Sequence, residues 1–255
     1  MGRGRGQELV AKVLREDCAN DRVERSFLEN EHKICGQMEH RNVIHTYEVQ
    51  LSAKRPFLVM DYVAGQSLRQ YLERGRPPLA SALDWLAQAA DGLGYCHEHG
   101  YVHRDAKPQN IVIGSDNLAV VIDFALGTPL DTSFGKYLMR RLTERRRPGT
   151  WSYMSPEQIR NQRLTGLSDV YSLGVTLYEL ATGHLPYVAD TPQVLLEQHL
   201  FAKIPSSRSI QPDLPIELDE LIKGMMAKSP LDRPAGMGYV SGKLRALLPL
   251  CRKLA

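Results

Sequence analysis

The sequence predicts an α+β protein in two lobes: a small β-rich lobe over residues 1–63 and a larger, mainly helical lobe over 64–255, with a ligand cleft between them. Three observations carry this expectation. Up to Val63, strand-like runs flank one amphipathic stretch. After Gly65 the apolar residues recur mostly at helical spacing. Within that second part, a polar octapeptide, His103–Asn110, lies between a helical pattern and a pair of short strand runs.

Taken in order, Glu8–Leu14 holds the apolar run LVAKVL with a lone lysine and reads as a buried strand. Asp21–Met38 is charged, but Phe27, Leu28, Ile34, Cys35 and Met38 recur at near-helical spacing and predict an amphipathic helix. Asn42–Leu51 and Pro56–Val63 read as strands, and Gly65 as a turn. Leu83, Leu86, Ala87, Ala90 and Leu93 share one helical face, with Gly100 ending that helix. Ile111–Ile113 and Leu118–Ile122 read as strands joined by the turn Gly114–Asn117. A polar stretch follows over 127–148, and further helices are expected over 167–182, 191–200, 217–227 and 239–248.

Composition narrows the function classes. With 255 residues, 43% hydrophobic and 24% charged, the chain is long enough to bury a core without covalent staples. A net charge of +3 gives no footprint for nucleic acid. The cysteines Cys18, Cys35, Cys96 and Cys251 are scattered without a CxxC pair, which fits neither a zinc site nor a disulfide framework and suits a reducing, cytoplasmic compartment. No apolar run approaches the roughly 18 residues of a membrane span, and the opening MGRGRGQE has no apolar core of a signal peptide.

The chemistry concentrates in His103-Arg104-Asp105-Ala106-Lys107-Pro108-Gln109-Asn110 and in Asp123-Phe124, at the end of the second strand. Two carboxylates, a lysine and an asparagine in one loop region suit phosphoryl transfer. One carboxylate accepts a proton from an alcohol. The other, with an amide oxygen, offers hard ligands to Mg²⁺, and the lysine neutralises charge on the moving group. A polar loop that only caps its own backbone is the plainer reading of any one of these residues.

Together they resemble the catalytic loop and metal-binding motif of eukaryotic-type serine/threonine protein kinases, including the bacterial members. The resemblance implies a bilobal protein kinase-like fold. It implies Asp105 as catalytic base, Lys107 on the γ-phosphate, and Asn110 and Asp123 on Mg²⁺. Lysine two residues after the aspartate resembles serine/threonine rather than tyrosine kinases. Val10-Ala11-Lys12-Val13 resembles the strand whose lysine grips the α- and β-phosphates of ATP, and Glu31 falls where a helix glutamate pairs with that lysine. Leu58–Val63 resembles the hinge that meets adenine, with Met60 as gatekeeper; this implies Asp61 and Val63 at the adenine edge and Ala11 and Val112 at its faces. Gly149–Glu157 resembles the end of an activation segment, and Asp169–Gly174 the start of a helix supporting the catalytic loop. Asp232-Arg233-Pro234 resembles the site whose arginine pairs with Glu157.

Two features depart from the family. Only eleven residues precede Lys12, and Gly6 lies too close to it for a returning strand, so the glycine-rich phosphate loop and its two strands are expected to be missing and the N-terminal lobe truncated. Gly2–Gly6 then reads as the turn into the lysine strand. Asp123-Phe124-Ala125 carries alanine where glycine is usual, which is expected to narrow the segment's conformational freedom. The basic run Lys136–Arg147 reads as a solvated loop that a phosphate or an acidic partner orders; the resemblance therefore implies activation by a partner or by phosphorylation within 127–150. The resemblance implies transfer of the γ-phosphoryl of ATP to Ser or Thr of a protein substrate, with Mg²⁺. A pseudokinase or scaffold with little turnover is the alternative, and a piece of a longer kinase is a third reading.

Overall fold

The structure is a computed structural model, and it describes residues 8–130 and 151–252. The small lobe contains β1 (Leu9–Val13), α1 (Arg22–Cys35), β2 (Thr46–Gln50) and β3 (Phe57–Asp61). The three strands form one antiparallel sheet in the order β1-β3-β2, with Lys12 opposite Leu58. Helix α1 starts where Asp21 accepts a hydrogen bond from the Val23 amide at 2.8 Å, an N-cap that satisfies an otherwise orphaned donor. It buries Leu28, Glu31, Ile34 and Cys35 at helical spacing and ends at Gly36.

Three expectations about this region are corrected. The strand around Lys12 is not buried: Leu9, Val10 and Val13 are exposed. Among the described residues β1 pairs only with β3, and of the three strands α1 packs mainly against β2, which leaves β1 the most exposed strand of this sheet. The strand expected over 42–51 begins only at Thr46. Asn42–Ile44 instead joins the large lobe, where the Ile44 amide donates to Val121 O and the Val121 amide to Asn42 O, both at 2.9 Å. Gly65 is not a simple turn; it opens strand β4 (Gly65–Ser67) opposite Gly114, where an added Cβ would lie 1.9 Å from the Ile113 carbonyl oxygen.

The large lobe continues with α2 (Leu68–Arg74), α3 (Leu79–Glu98), β5 (Tyr101–Val102), β6 (Ile111–Gly114), β7 (Ala119–Val121) and β8 (Thr128–Pro129). Helices α4 (Pro156–Ile159), α5 (Gly166–Thr182), α6 (Pro192–Phe201), α7 (Ile216–Met225) and α8 (Met237–Cys251) follow. The sequence pattern did not predict α2, although Ser67 and Gln70 form a reciprocal capping box at its start. Helix α5 is buried along its whole length from Ser168, and α3 and α8 pack beside it through Leu86, Leu93, Leu173, Leu177 and Leu244. Strands β4, β6 and β7 form a second sheet on the cleft side of this core. The glycine run 2–6, the basic run 136–147 and the pair Gly149-Thr150 lie outside the described residues. No helix among the described residues is long and apolar enough to cross a membrane.

Candidate active site

The loop from His103 to Asn110 runs between β5 and β6, and α5 holds it from below. The fully buried Asp169 carboxylate accepts the amides of His103 and Arg104 at 2.8 and 2.7 Å, and His97 Nε2 meets it at 2.8 Å. Burial works against this charge. The His97 contact and the backbone donors outweigh it and hold the carboxyl below its ordinary range. Arg104 adopts a left-handed backbone, φ 70°, uncommon for a residue with a Cβ; the Asp169 bonds to its own amide and the preceding one, and Gln158 Nε2 donating to its carbonyl, hold it there.

Within the loop, Asp105 Oδ2 accepts Lys107 Nζ at 2.6 Å and Asn110 Nδ2 at 3.1 Å. Asn110 Nδ2 also donates to the Asp105 carbonyl at 2.9 Å. One carboxylate oxygen is therefore fixed, while Oδ1 accepts no hydrogen bond among the described residues. The amide nitrogen of Asn110 is used inward, which leaves its oxygen as the ligand atom.

Asp123 follows β7, also in the left-handed region at φ 65°. Its Oδ1 lies 2.7 Å from Lys12 Nζ, and the same ammonium lies 2.7 Å from Glu31 Oε2 on α1. Burial alone would lower the lysine's proton affinity, but the two carboxylates raise it above the ordinary value. Burial likewise opposes the charge of Asp123, and Lys12 reverses the effect and lowers its pKa. Glu31 is nearly inaccessible, and burial raises its pKa despite the lysine. The Phe124 ring meets the His103 ring edge-on at 4.4 Å. Ala125 sits in a 3-10 turn, Phe124–Leu126, and is not among the residues with positive φ, so it fits this backbone without strain.

A cavity of about 270 Å³ opens here, lined by Lys12, Glu24, Phe27, Asp105, Lys107 and Asp123, among others. The structure thus brings together six residues singled out from the sequence: Lys12, Glu31, Asp105, Lys107, Asn110 and Asp123. The adenine-contact set is not gathered in the same way. Asp61 and Val63 line a separate cavity of about 430 Å³ with His40, Arg41 and Asp116. Ala11 is exposed opposite Val59, and Val112 lies between Ser67 and Val120; neither lines either cavity. Tyr47, which the sequence did not single out, donates from its hydroxyl to the Asp61 carboxylate at 2.5 Å.

The donor set fits Mg²⁺ as a hard cation: the Asp123 carboxylate and the Asn110 amide oxygen supply oxygen ligands, and such ions complete their shell with phosphate and water. Among the described residues no cluster of three or more His, Cys, Asp or Glu forms a separate metal cage. Below the site, Arg233 grips Glu157 with a two-pronged contact of 2.7 and 2.8 Å, both side chains buried, as the family resemblance implied across 76 positions. Beside it, Glu179 accepts the Tyr153 hydroxyl at 2.5 Å and Arg69 at 3.0 Å.

Comparisons with known proteins place the chain in a family. The family model described as protein kinase domain matches residues 1–242. The chain is 33% identical over 244 residues to the serine/threonine-protein kinase PknL of Mycobacterium tuberculosis, covering 94% of this chain and 59% of PknL. It is 33% identical over 233 residues to PknH of Mycobacterium bovis, covering 90% of this chain and 38% of PknH. The chain thus spans 59% and 38% of the length of these two relatives. In fold it is similar to the crystal structure of the Mycobacterium tuberculosis PknI kinase domain, with a TM-score of 0.70 at 22% identity over 93% of this chain and 85% of that one.

Proposed function

Because this chain belongs to the protein kinase domain family, we propose that it transfers the γ-phosphoryl group of ATP to serine or threonine hydroxyls of a protein substrate, in the cytoplasm. Protein kinases in general use ATP and Mg²⁺. In this reading Lys12 binds the α- and β-phosphates and Glu31 orients it. Asn110 and Asp123 hold Mg²⁺, which screens phosphate charge when bound. The family resemblance assigns Asp61, Val63, Ala11 and Val112 to the adenine side of the cleft between residues 1–63 and 64–255, although these four line no common cavity here.

The observation that carries the reading is the state of Asp105. Lys107 and Asn110 fix one carboxylate oxygen, while the other accepts no hydrogen bond among the described residues. A substrate hydroxyl that donates to that free oxygen has its own oxygen aligned for attack. The new phosphorus–oxygen bond forms as the bond to the ADP leaving oxygen breaks. The hydroxyl proton passes to Asp105, and Lys107 offsets the negative charge that builds on the transferred group. Positioning and electrostatics supply most of the acceleration. Regulation by a partner or by phosphorylation falls in the 127–150 segment, supported by its basic run and by Arg104 beside the base.

The test is transfer of label from γ-labelled ATP to peptides bearing Ser or Thr, with Mg²⁺. Asp105→Asn is expected to lose about 10²–10⁴-fold in rate while still binding nucleotide. Asp123→Asn is expected to weaken the Mg²⁺-dependent part of binding. Undiminished transfer by Asp105→Asn refutes the assignment. Nucleotide binding without any transfer in the wild type turns the reading toward a binding module.

A further inference from the structure

We propose that Asn30 is a positioning residue for the metal-binding aspartate, clipping helix α1 to the turn behind Asp123; this rests on the kinase reading above. Asn30 precedes Glu31 on α1. Its Nδ2 donates to the carbonyls of Gly127 at 2.8 Å and Ala125 at 3.1 Å, with the Phe124 carbonyl at 3.5 Å. Three backbone acceptors around one end of the side chain fix the amide orientation, because only its nitrogen carries hydrogens. The two N–H groups match the two shorter contacts.

The neighbouring side chain completes a closed arrangement. Glu31 binds Lys12, and Lys12 binds the Asp123 carboxylate. Helix α1 therefore holds Asp123 twice: through charge at its side chain and through Asn30 at the backbone that follows it. Asp123 needs the second hold, because its left-handed φ of 65° is a conformation that L residues with a Cβ resist. Gly127 makes the clip possible. A Cβ there would lie 2.6 Å from the δ-methyl of the buried Ile34, one turn further along α1, and 3.1 Å from the Phe124 carbonyl oxygen, so either the Ile34 side chain rotates within the core or the turn shifts. Two independent features of the sequence, an amide donor and a missing methyl group, thus serve one close approach.

The consequence is specific. Displacing α1 moves the Asp123 carboxylate, so loss of Asn30 raises the Mg²⁺ requirement rather than abolishing nucleotide contact. The full chain carrying Asn30→Ala, Asn30→Asp or Gly127→Ala tests this. The first readout is the Mg²⁺ concentration giving half of the ATP-induced thermal stabilisation. With about two hydrogen bonds lost, it should rise roughly tenfold in both Asn30 variants and rise in Gly127→Ala as well, while stabilisation by ATP in EDTA stays unchanged. The second is amide hydrogen exchange over residues 124–128 in metal-free protein, which should quicken in each variant. The third is kinetic: phosphoryl transfer at limiting Mg²⁺ should fall and recover at saturating Mg²⁺. An unchanged Mg²⁺ midpoint overturns the inference. So does a loss of nucleotide stabilisation that is equal with and without Mg²⁺, since that marks general damage. A wild type with no Mg²⁺-dependent response overturns the kinase reading itself, and this inference with it.

Discussion

Replacing Arg233 with alanine tests the fold independently of catalysis. The guanidinium contacts both oxygens of Glu157, and it also donates to the carbonyls of Ala227 at 2.8 Å and Leu167 at 2.7 Å. Its side chain is fully buried and that of Glu157 is 4% exposed. Removing one partner of such a pair strands a buried charge, at a cost of roughly 3–5 kcal/mol, against a margin of about 5–15 kcal/mol for a whole domain. For a domain of this size that is a fall of roughly 6–20 °C in Tm. Arg233→Lys should recover only part of it, because an ammonium cannot present a planar fork to a carboxylate. The loss should also depend on pH. Burial opposes the Glu157 charge, but Arg233 outweighs it and holds the folded-state pKa below the ordinary value of 4.5. A depressed carboxylate contributes stability above its unfolded pKa and loses it as pH falls through the folded one. The gap between wild type and Arg233→Ala should therefore narrow below about pH 4.5, where Glu157 begins to take up a proton. Urea unfolding at pH 7 and pH 4 measures both effects. A variant within about 1 kcal/mol of wild type at pH 7, or a gap that widens on acidification, refutes the reasoning.

Two further outcomes follow from packing and charge. Burial, with Arg233 and Arg160 nearby, lowers Lys228 to about 8, while its ammonium donates to Tyr187 Oη and to the carbonyls of Gln198 and His199. A lysine with a lowered folded pKa binds fewer protons folded than unfolded between about pH 8 and 10.5, so wild-type stability should rise across that window relative to Lys228→Met; a flat difference in denaturation midpoints refutes it. Gly65→Ala should destabilise by about 1–3 kcal/mol through overpacking against the Ile113 carbonyl, with the denaturation midpoint lowered and the slope unchanged; an unchanged midpoint means that β4 yields to the methyl group at no cost.

Much of the site was legible because its chemistry is local. His103–Asn110 are neighbours in the chain, so their residue types announce a base, a cation and a metal ligand before any folding is considered. Arg233 and Glu157 were legible through family order alone. Helix α2 had a local signal, the Ser67/Gln70 capping box, that a search for apolar periodicity passes over. Asn30 had none: one more polar residue on an amphipathic helix looks solvated until a second segment brings its carbonyls alongside.

The sequence by itself determined the type of the longer elements, because hydrophobic period and capping residues act over a few positions. It also determined the identity of the chemical groups. Tertiary structure decided which faces those elements bury. The run LVAKVL is apolar enough for a core, yet among the described residues β1 pairs on one side only and is mostly exposed, because burial depends on what packs beside a strand and not on the strand. The run Asn42–Ile44 has strand character, but its Asn42 carbonyl and Ile44 amide pair with Val121, 77 or more positions along the chain, and no local pattern encodes that choice. Only the fold could set Lys12 between Glu31 and Asp123, since the contact draws on charges 19 and 111 positions away that meet only when both lobes are in place.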